Sequence, residues 1–248
     1  MKISICMATY NGERYIFEQL KSILKQISKY DEIIISDDSS NDETADIIKL
    51  FKDDRIILIE NQKFNNPIFN FENSIINSSG DIIVLSDQDD IWESNKIEVV
   101  RQSFANRDMD KPVLNVYNGV VIDESDNIIY DDLFIFLKIK KRLTNNILNN
   151  IVKNKIIGCN IAFNRTLLNF ALPFPKNVPM HDMWLGNIAY LFGEVSFINR
   201  KIIKYRRHSN NYTNYKTTMK QKFTMRYYLV KNLFIRYRQH SGKNKTNV

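Results

Sequence analysis

Long hydrophobic runs are absent from this chain of 248 residues. A helical bilayer span needs ~20 consecutive apolar residues, and no stretch approaches that length, so no membrane-crossing segment is expected. The apolar start, Ile3 to Ala8, runs into Asn11-Gly12-Glu13-Arg14 almost at once and is too short for a signal peptide. Cysteine is scarce. Cys6 and Cys159 match no metal-ligand spacing and build no disulfide framework, which suggests a reducing, cytosolic compartment. Apolar residues at 44% and charged residues at 25% exclude a disordered, collagen-like or coiled-coil chain. A chain of this size buries roughly 70–75% of its unfolded surface and needs no structural metal to fold.

Acid is missing from one end. Every Asp and Glu lies at or before Glu194, whereas Val195 to Val248 holds 14 Lys or Arg. The net charge of +7 is therefore a +14 tail on a −7 body. In the tail Phe223, Tyr227, Tyr228, Phe234 and Tyr237 are interleaved with Lys220, Lys222, Arg226, Lys231, Arg236 and Arg238. That mixture suits a solvated basic helix, a nucleic-acid contact or an interfacial helix on an anionic membrane. Charge alone does not choose among them.

Ile3–Thr9, Glu32–Ser36, Arg55–Glu60 and Asp81–Ser86 are short apolar runs bounded by turn residues, and they read as strands. Helical periodicity fills the gaps: Tyr15 to Ile27, Ala45 to Phe51, and Ile68 to Ile76. The alternation predicts an α/β fold with a mostly parallel sheet flanked by helices. Further on, Pro112–Asp123 reads as a strand, Arg142–Lys153 as a helix and Cys159–Phe163 as a short strand. Residues 173–181 form a proline-rich loop, His181–Phe192 a helix, and Val195–Ile198 with Lys201–Tyr205 closing strands. The simplest division is a domain over 1–210 and a basic, aromatic-rich helical tail over 211–248.

Ligands of such sheets bind beyond the carboxyl ends of the strands, and acids gather there. Asp87-Gln88-Asp89 follows the fourth strand, where alternate carboxylates can face one hard divalent cation such as Mn²⁺ or Mg²⁺. The alternative is an acid cluster at a helix start. Asp108-Met109-Asp110 repeats the triplet without a strand before it and reads as a solvated connection. Asp37 and Asp38 end the second strand, with Ser40 to Asp42 able to cap the next helix. A carboxylate at that strand end can accept the N3–H of uracil or thymine, or it can serve the turn. Trp92 and Trp184 read as packing residues rather than sugar platforms.

The motifs Ala8-Thr9-Tyr10-Asn11-Gly12, Ser36-Asp37-Asp38-Ser39-Ser40-Asn41-Asp42, Gly80-Asp81 leading into Asp87-Gln88-Asp89-Asp90, His181-Asp182, and Tyr205-Arg206-Arg207-His208 occur in one order. Over residues 1–211 the chain resembles bacterial family 2 glycosyltransferases. The resemblance implies the GT-A fold, a Rossmann-like sheet, and inverting transfer of a sugar from a nucleoside diphosphate donor. It implies that Thr9, Tyr10, Asn11, Asp37, Asp38 and Asp87 border the nucleotide, UDP or dTDP. Asp87 and Asp89 would hold the metal and diphosphate, and Asp182 would be the base. His208 is a candidate third metal ligand, and Arg206 or Arg207 a candidate diphosphate contact. Asp182 also reads as a helix cap, and His181 as an acceptor contact or a half-buried ring.

No Q-x-x-R-W motif is present, so single transfer is expected rather than polymerisation. The expected acceptor is a polysaccharide or lipid-linked saccharide at the inner face of the cell membrane, met through the tail, with no nucleic acid. Two other classes fit less well. A nucleotidyltransferase wants a Gly-rich basic loop after the first strand, and Thr9–Arg14 has one glycine and no lysine; a non-catalytic basic module leaves the acidic strand ends without a purpose.

Overall fold

The Ile-rich runs near the N-terminus are strands in the computed structural model, which describes residues 1–139, 146–208 and 218–241. β1 (Ile3–Thr9), β2 (Glu32–Asp37), β3 (Ile56–Ile59) and β4 (Ile82–Ser86) pair in parallel in the order β3-β2-β1-β4. β1, β2 and β4 are buried on both faces, which is why they read as continuous apolar runs rather than as alternating ones. Between them lie α1 (Ile16–Leu24), α2 (Thr44–Leu50) and α3 (Pro67–Ile76). α1 buries the stripe Ile16, Leu20 and Ile23. α3 starts where Pro67 takes the first helical position and Asn66 Oδ1 accepts the Ile68 N–H.

Beyond β4 the sheet becomes mixed. β5 (Ile91–Trp92), α4 (Lys96–Phe104), β6 (Val113–Ile122), β7 (Ile128–Tyr130), α5 (Leu133–Phe136) and α6 (Ile147–Val152) come first. β8 (Ile161–Asn164), α7 (Leu168–Ala171), α8 (His181–Phe192), β9 (Glu194–Arg206) and α9 (Met219–Ser241) complete the chain. The sheet order is β3-β2-β1-β4-β8-β6-β9-β5, with β7 on β6. β8 is antiparallel to both β4 and β6, whereas β9 runs parallel to β6.

Three expectations change in detail. The strand expected at Cys159–Phe163 begins later, because Gly158–Asn160 forms a 3-10 turn. The two closing strands are one, β9, whose pairing with β6 slips beside Asn118. Asn118 fills that slip, accepting from the Gly119 and Phe134 N–H groups and donating to Asp132 and Asn199. The helix expected over Arg142–Lys153 is α6, and residues 140–145 lie outside the described residues.

One core lies under α1 and α4; the other collects Phe71 and Ile75 of α3, Trp184 and Ile188 of α8, and Leu229 and Leu233 of α9. The tail helix is thus seated on the domain, and the division expected at residue 210 falls outside the described residues. No described helix is long and apolar enough to cross a membrane.

At the amino-terminal edge of the sheet Glu32 accepts from Ser4 Oγ, Lys2 Nζ and the Ser79 N–H and Oγ. Burial opposes its charge, but those donors prevail and hold its pKa at about 2 instead of 4.5. The folded value lies below the unfolded one, so this group stabilises the fold above pH 4.5 and the contribution is lost as pH falls towards 2. Glu32→Gln should flatten that part of the melting temperature against pH profile. An unchanged acid limb would show that other carboxylates set it.

Candidate active site

Hydrogen bonds lace the carboxyl ends of β1, β2 and β4 together. Thr9 and Asp37 are paired in register, and Thr9 Oγ1 donates to Asp37 Oδ2 at 2.7 Å. Asp37 also accepts the Ser40 N–H at 2.8 Å and Ser40 Oγ at 2.6 Å, so its carboxylate builds the turn. Asp38 is buried beside it, accepting the N–H groups of Phe64 at 2.6 Å and Asn66 at 3.1 Å. Each carboxylate oxygen has two lone pairs, so one more donor can be accommodated. Asn11, at φ 48°, donates its N–H to Ser40 Oγ and accepts the Asn41 N–H. None of Ser40 to Asp42 takes the cap position of α2, which is Glu43; Asp42 precedes it and accepts the Thr44 N–H at 3.1 Å.

Gln88 joins the first loop to the third. Its Oε1 accepts the Tyr10 N–H at 2.9 Å and its Nε2 donates to the Tyr10 carbonyl at 3.0 Å, while the Tyr10 side chain stays exposed. Gly12 makes room for this clamp, since a Cβ there would sit 2.4 Å from Gln88 Oε1. The middle residue of the acidic triplet is therefore structural, and it sets the two acids around it.

Gln19 of α1 donates to the Asp87 carbonyl at 2.9 Å. Donor atoms of Asp87, Asp90 and Cys159 all lie within 4.8 Å of one another. Burial, then the charges of Asp89 and Asp182, pushes Asp87 up to about 7. Burial and the neighbouring carboxylates likewise raise Asp90 and the Cys159 thiol well above their ordinary values. Lys96 is buried next to them, 4.0 Å over the Trp92 ring, with Nζ donating to the Cys159 carbonyl at 3.1 Å. Burial lowers it to about 8 against the pull of these acids.

Asp89 pairs with His208, Oδ2 to Nε2 at 2.7 Å, and that imidazole tilts against Tyr15 at 5.3 Å. Arg206 is buried and tied inward: its N–H donates to Asp90 at 2.9 Å, Nε to the Asp89 carbonyl at 2.7 Å, and Nη1 to the Asp123 carbonyl at 3.1 Å. It holds the loops in place. Arg207 and His208, with Asp123, Glu124 and Ser125, line an open depression of about 430 Å³. The carboxylates of Asp87 and Asp90 can serve a hard cation, and Asp90 Oδ2 is buried without a hydrogen-bond partner among the described residues. The group whose donor atoms converge is Asp87, Asp90 and Cys159, while the expected ligands Asp89 and His208 pair with each other beside it.

Asp182 arrives from the other half of the chain. It sits in the first turn of α8, two residues beyond the cap position, which is Met180. Its buried carboxylate accepts the Met183 N–H and the Gly158 N–H, yet burial still raises its pKa to about 7. The Gly158–Asn160 turn connects this acid to the others: Gly158 faces Asp182, while Cys159 faces Asp87 and Asp90. A Cβ on Gly158 would lie 2.5 Å from His181 Nε2. His181 is itself buried against Phe71 at 4.2 Å, and burial lowers it to about 3, so the ring is neutral. Trp184 packs, donating to the Ala171 carbonyl.

Sequence reading assigned no role to Asp90, Lys96, Gly158 or Cys159. Asp90 had a signal, as the last letter of the acidic run. Gly158 and Cys159 have none locally, because each acts on residues more than twenty positions away, and Lys96 meets Trp92, Asp87 and Asp90 nearby but also the distant Cys159 carbonyl. Asp108 behaves as expected, bonding the Asp110 N–H and pairing with Lys111 at the surface.

The model of the family described as glycosyl transferase family 2 matches residues 4–171. An Escherichia coli UDP-Glc:alpha-D-GlcNAc-diphosphoundecaprenol beta-1,3-glucosyltransferase, WfgD, is 30% identical over 208 residues, 82% of this chain and 76% of that protein. The dTDP-rhamnosyl transferase RfbG of Shigella flexneri is 30% identical over 245 residues, 93% of this chain and 81% of its own. In three dimensions the chain is similar to S. aureus TarS 1-349 in complex with UDP-GlcNAc, with a TM-score of 0.71 at 16% identity, covering 95% of this chain and 66% of that one. That likeness, with its helix-flanked and mostly parallel curled sheet, is the GT-A fold. With more than half its length matched by the family model and a relative 30% identical over most of both chains, the chain belongs to glycosyl transferase family 2.

Proposed function

We propose that this glycosyltransferase moves one sugar, with inversion, from a UDP- or dTDP-sugar to a hydroxyl of a lipid-linked or cell-surface saccharide. The observation that carries this reading is the placement of Asp182, a buried carboxyl with a pKa raised to about 7, close enough to Asp87 for its charge to act there. A base needs a pKa near working pH. The acceptor hydroxyl attacks the anomeric carbon from the face opposite the diphosphate, and Asp182 takes its proton as the bond to the diphosphate breaks.

Thr9 and Asp38 are read as the nucleoside contacts and Tyr10 as an exposed ring beside them, with Asp37 holding the loop. The names of the two relatives support the donor class, since one includes UDP-Glc and the other dTDP-rhamnosyl, and the diphosphoundecaprenol in the first supports a lipid-linked acceptor. Asp87 and Asp89, with His208, would hold Mn²⁺ or Mg²⁺, and a solved relative in fold contains Mn²⁺ with UDP. Bound there, such an ion offsets charge on the departing diphosphate. The basic tail is read as the part that meets the membrane.

A panel of UDP-, dTDP-, GDP- and CDP-sugars with Mn²⁺ tests the reading by thermal shift and by transfer to a polyprenyl-diphosphate saccharide. A ligand at 100 times its Kd stabilises by about 2.7 kcal/mol, so UDP or dTDP should raise the melting temperature and CDP should not. Equal shifts from all four would remove the pyrimidine claim. Asp38→Asn exchanges a pure acceptor for a group that also donates. It should weaken UDP or dTDP binding roughly tenfold by calorimetry and lower stability by about 1 kcal/mol, because its amide now meets a loop N–H. Lowered stability with unchanged affinity would confine Asp38 to the loop.

A further inference from the structure

Two stretches of the chain lack acid entirely: residues 133–181, with eight Lys or Arg, and residues 195–248, with fourteen. They meet where α6 packs on α9. Arg226 makes the joint, donating from Nε and Nη2 to the Val152 carbonyl at 3.2 and 2.7 Å.

Docking uses one stripe of α9. Leu229, Leu233 and Arg236 are buried, and Arg236 donates to the Leu172 and Pro173 carbonyls. A second stripe is uncovered: Met219, Phe223, Tyr227, Val230, Phe234 and Tyr237 are all exposed. At 3.6 residues per turn they fall within about 80° of arc. Lys220, Lys231 and Arg238, also exposed, border that arc on the side opposite the buried stripe, and Arg226 borders it towards α6. On α6 the apolar surface continues in Leu148 and Val152, 65% and 68% exposed.

An aromatic stripe edged on both sides by bases, with no acid on either helix, has one occupant that satisfies both parts. Nucleic acid would take the bases and leave Val230, Leu148 and Val152 in water. An anionic bilayer accepts aromatics at headgroup depth and bases against its phosphates. We propose that α6 and α9 together form a seat for an anionic phospholipid surface, with Phe223, Tyr227 and Phe234 as the inserted side chains. α9 would lie in the interface rather than span it, since it is not apolar enough to cross. The proposal deepens the reading of a membrane-linked acceptor, and its test needs no transfer.

The full chain is sedimented with phosphatidylglycerol–phosphatidylcholine vesicles and with phosphatidylcholine alone, at low and high salt. Binding should be at least about tenfold stronger to the anionic vesicles and should weaken with salt. Phe223→Ser with Phe234→Ser should cut it roughly tenfold or more while leaving the melting temperature and UDP affinity unchanged. Leu148→Ser with Val152→Ser is a second arm on the other helix, and it should also weaken binding. The proposal is overturned by equal sedimentation with both vesicle types, by anionic binding that neither serine pair weakens, by RNA that displaces the vesicles, or by a stable dimer that covers this face and ignores vesicles. Vesicle binding without any sugar transfer would count against the enzymatic reading alone.

Discussion

Asp182→Asn should fold, bind donor nucleotide with near wild-type affinity, and transfer sugar about 10²–10⁴-fold more slowly. The structure gives the carboxylate two backbone donors, Met183 and Gly158, and an amide can accept both only through its single oxygen. A stability loss of about 1–2 kcal/mol is therefore expected, a fraction of what a domain of this kind has to lose. The pH profile separates the base from the scaffold. Asp182 must be deprotonated to act, and burial has moved its pKa to about 7, so kcat/KM should rise with unit slope up to pH 7 and level off above it. Asp87 titrates in the same range. The decisive observation is therefore whether the residual activity of Asp182→Asn has lost the acid limb. A limb that survives would assign it to the acid cluster, and a rate loss of only a fewfold would make Asp182 a helix-turn residue.

The parallel half of the sheet could be read from the sequence because β1, β2 and β4 are covered on both faces, and such strands announce themselves as Ile and Val runs with acids at their ends. β5 and β7, of two and three residues, exist only because β9 and β6 offer them partners, so no local pattern marks them. The strand after Gly158 was misphased for a related reason. Cys159 is apolar enough to read as strand, but its backbone turns so that the thiol meets Asp87 and Asp90, and that demand comes from β4. Asp37 and Asp38 look alike in sequence; only the paired positions of Thr9 and the 61–66 loop distinguish a turn-building carboxylate from one facing the loop. Lys96 carries no mark in the sequence that sets it apart from other lysines. Its burial follows from the acids and the Trp92 face that surround it.

Removing Asp89 should have the other large effect. Its carboxylate reaches His208 at 2.7 Å and its charge acts on Asp87, and in the proposed reading these two acids hold the cation against the diphosphate. Compensation of leaving-group charge is worth several kcal/mol, and each ~1.4 kcal/mol is tenfold in rate. Asp89→Ala should therefore lower transfer by about 10³-fold or more, and excess chelator should silence the wild type. Asp89→Asn refines the test, since its amide keeps a hydrogen bond to His208 but gives up the charge. If the ion matters, Asn should be nearly as damaging as Ala, and Mn²⁺ affinity should fall in both variants. If the carboxylate only orients His208, Asn should retain most of the activity. Proton release gives a readout independent of turnover: Asp87 is raised to about 7 by burial and by its neighbours, so Mn²⁺ binding near pH 6.5 should expel a proton and tighten as pH rises. Full activity in excess chelator, with no proton released on adding Mn²⁺, would remove the cation from this site.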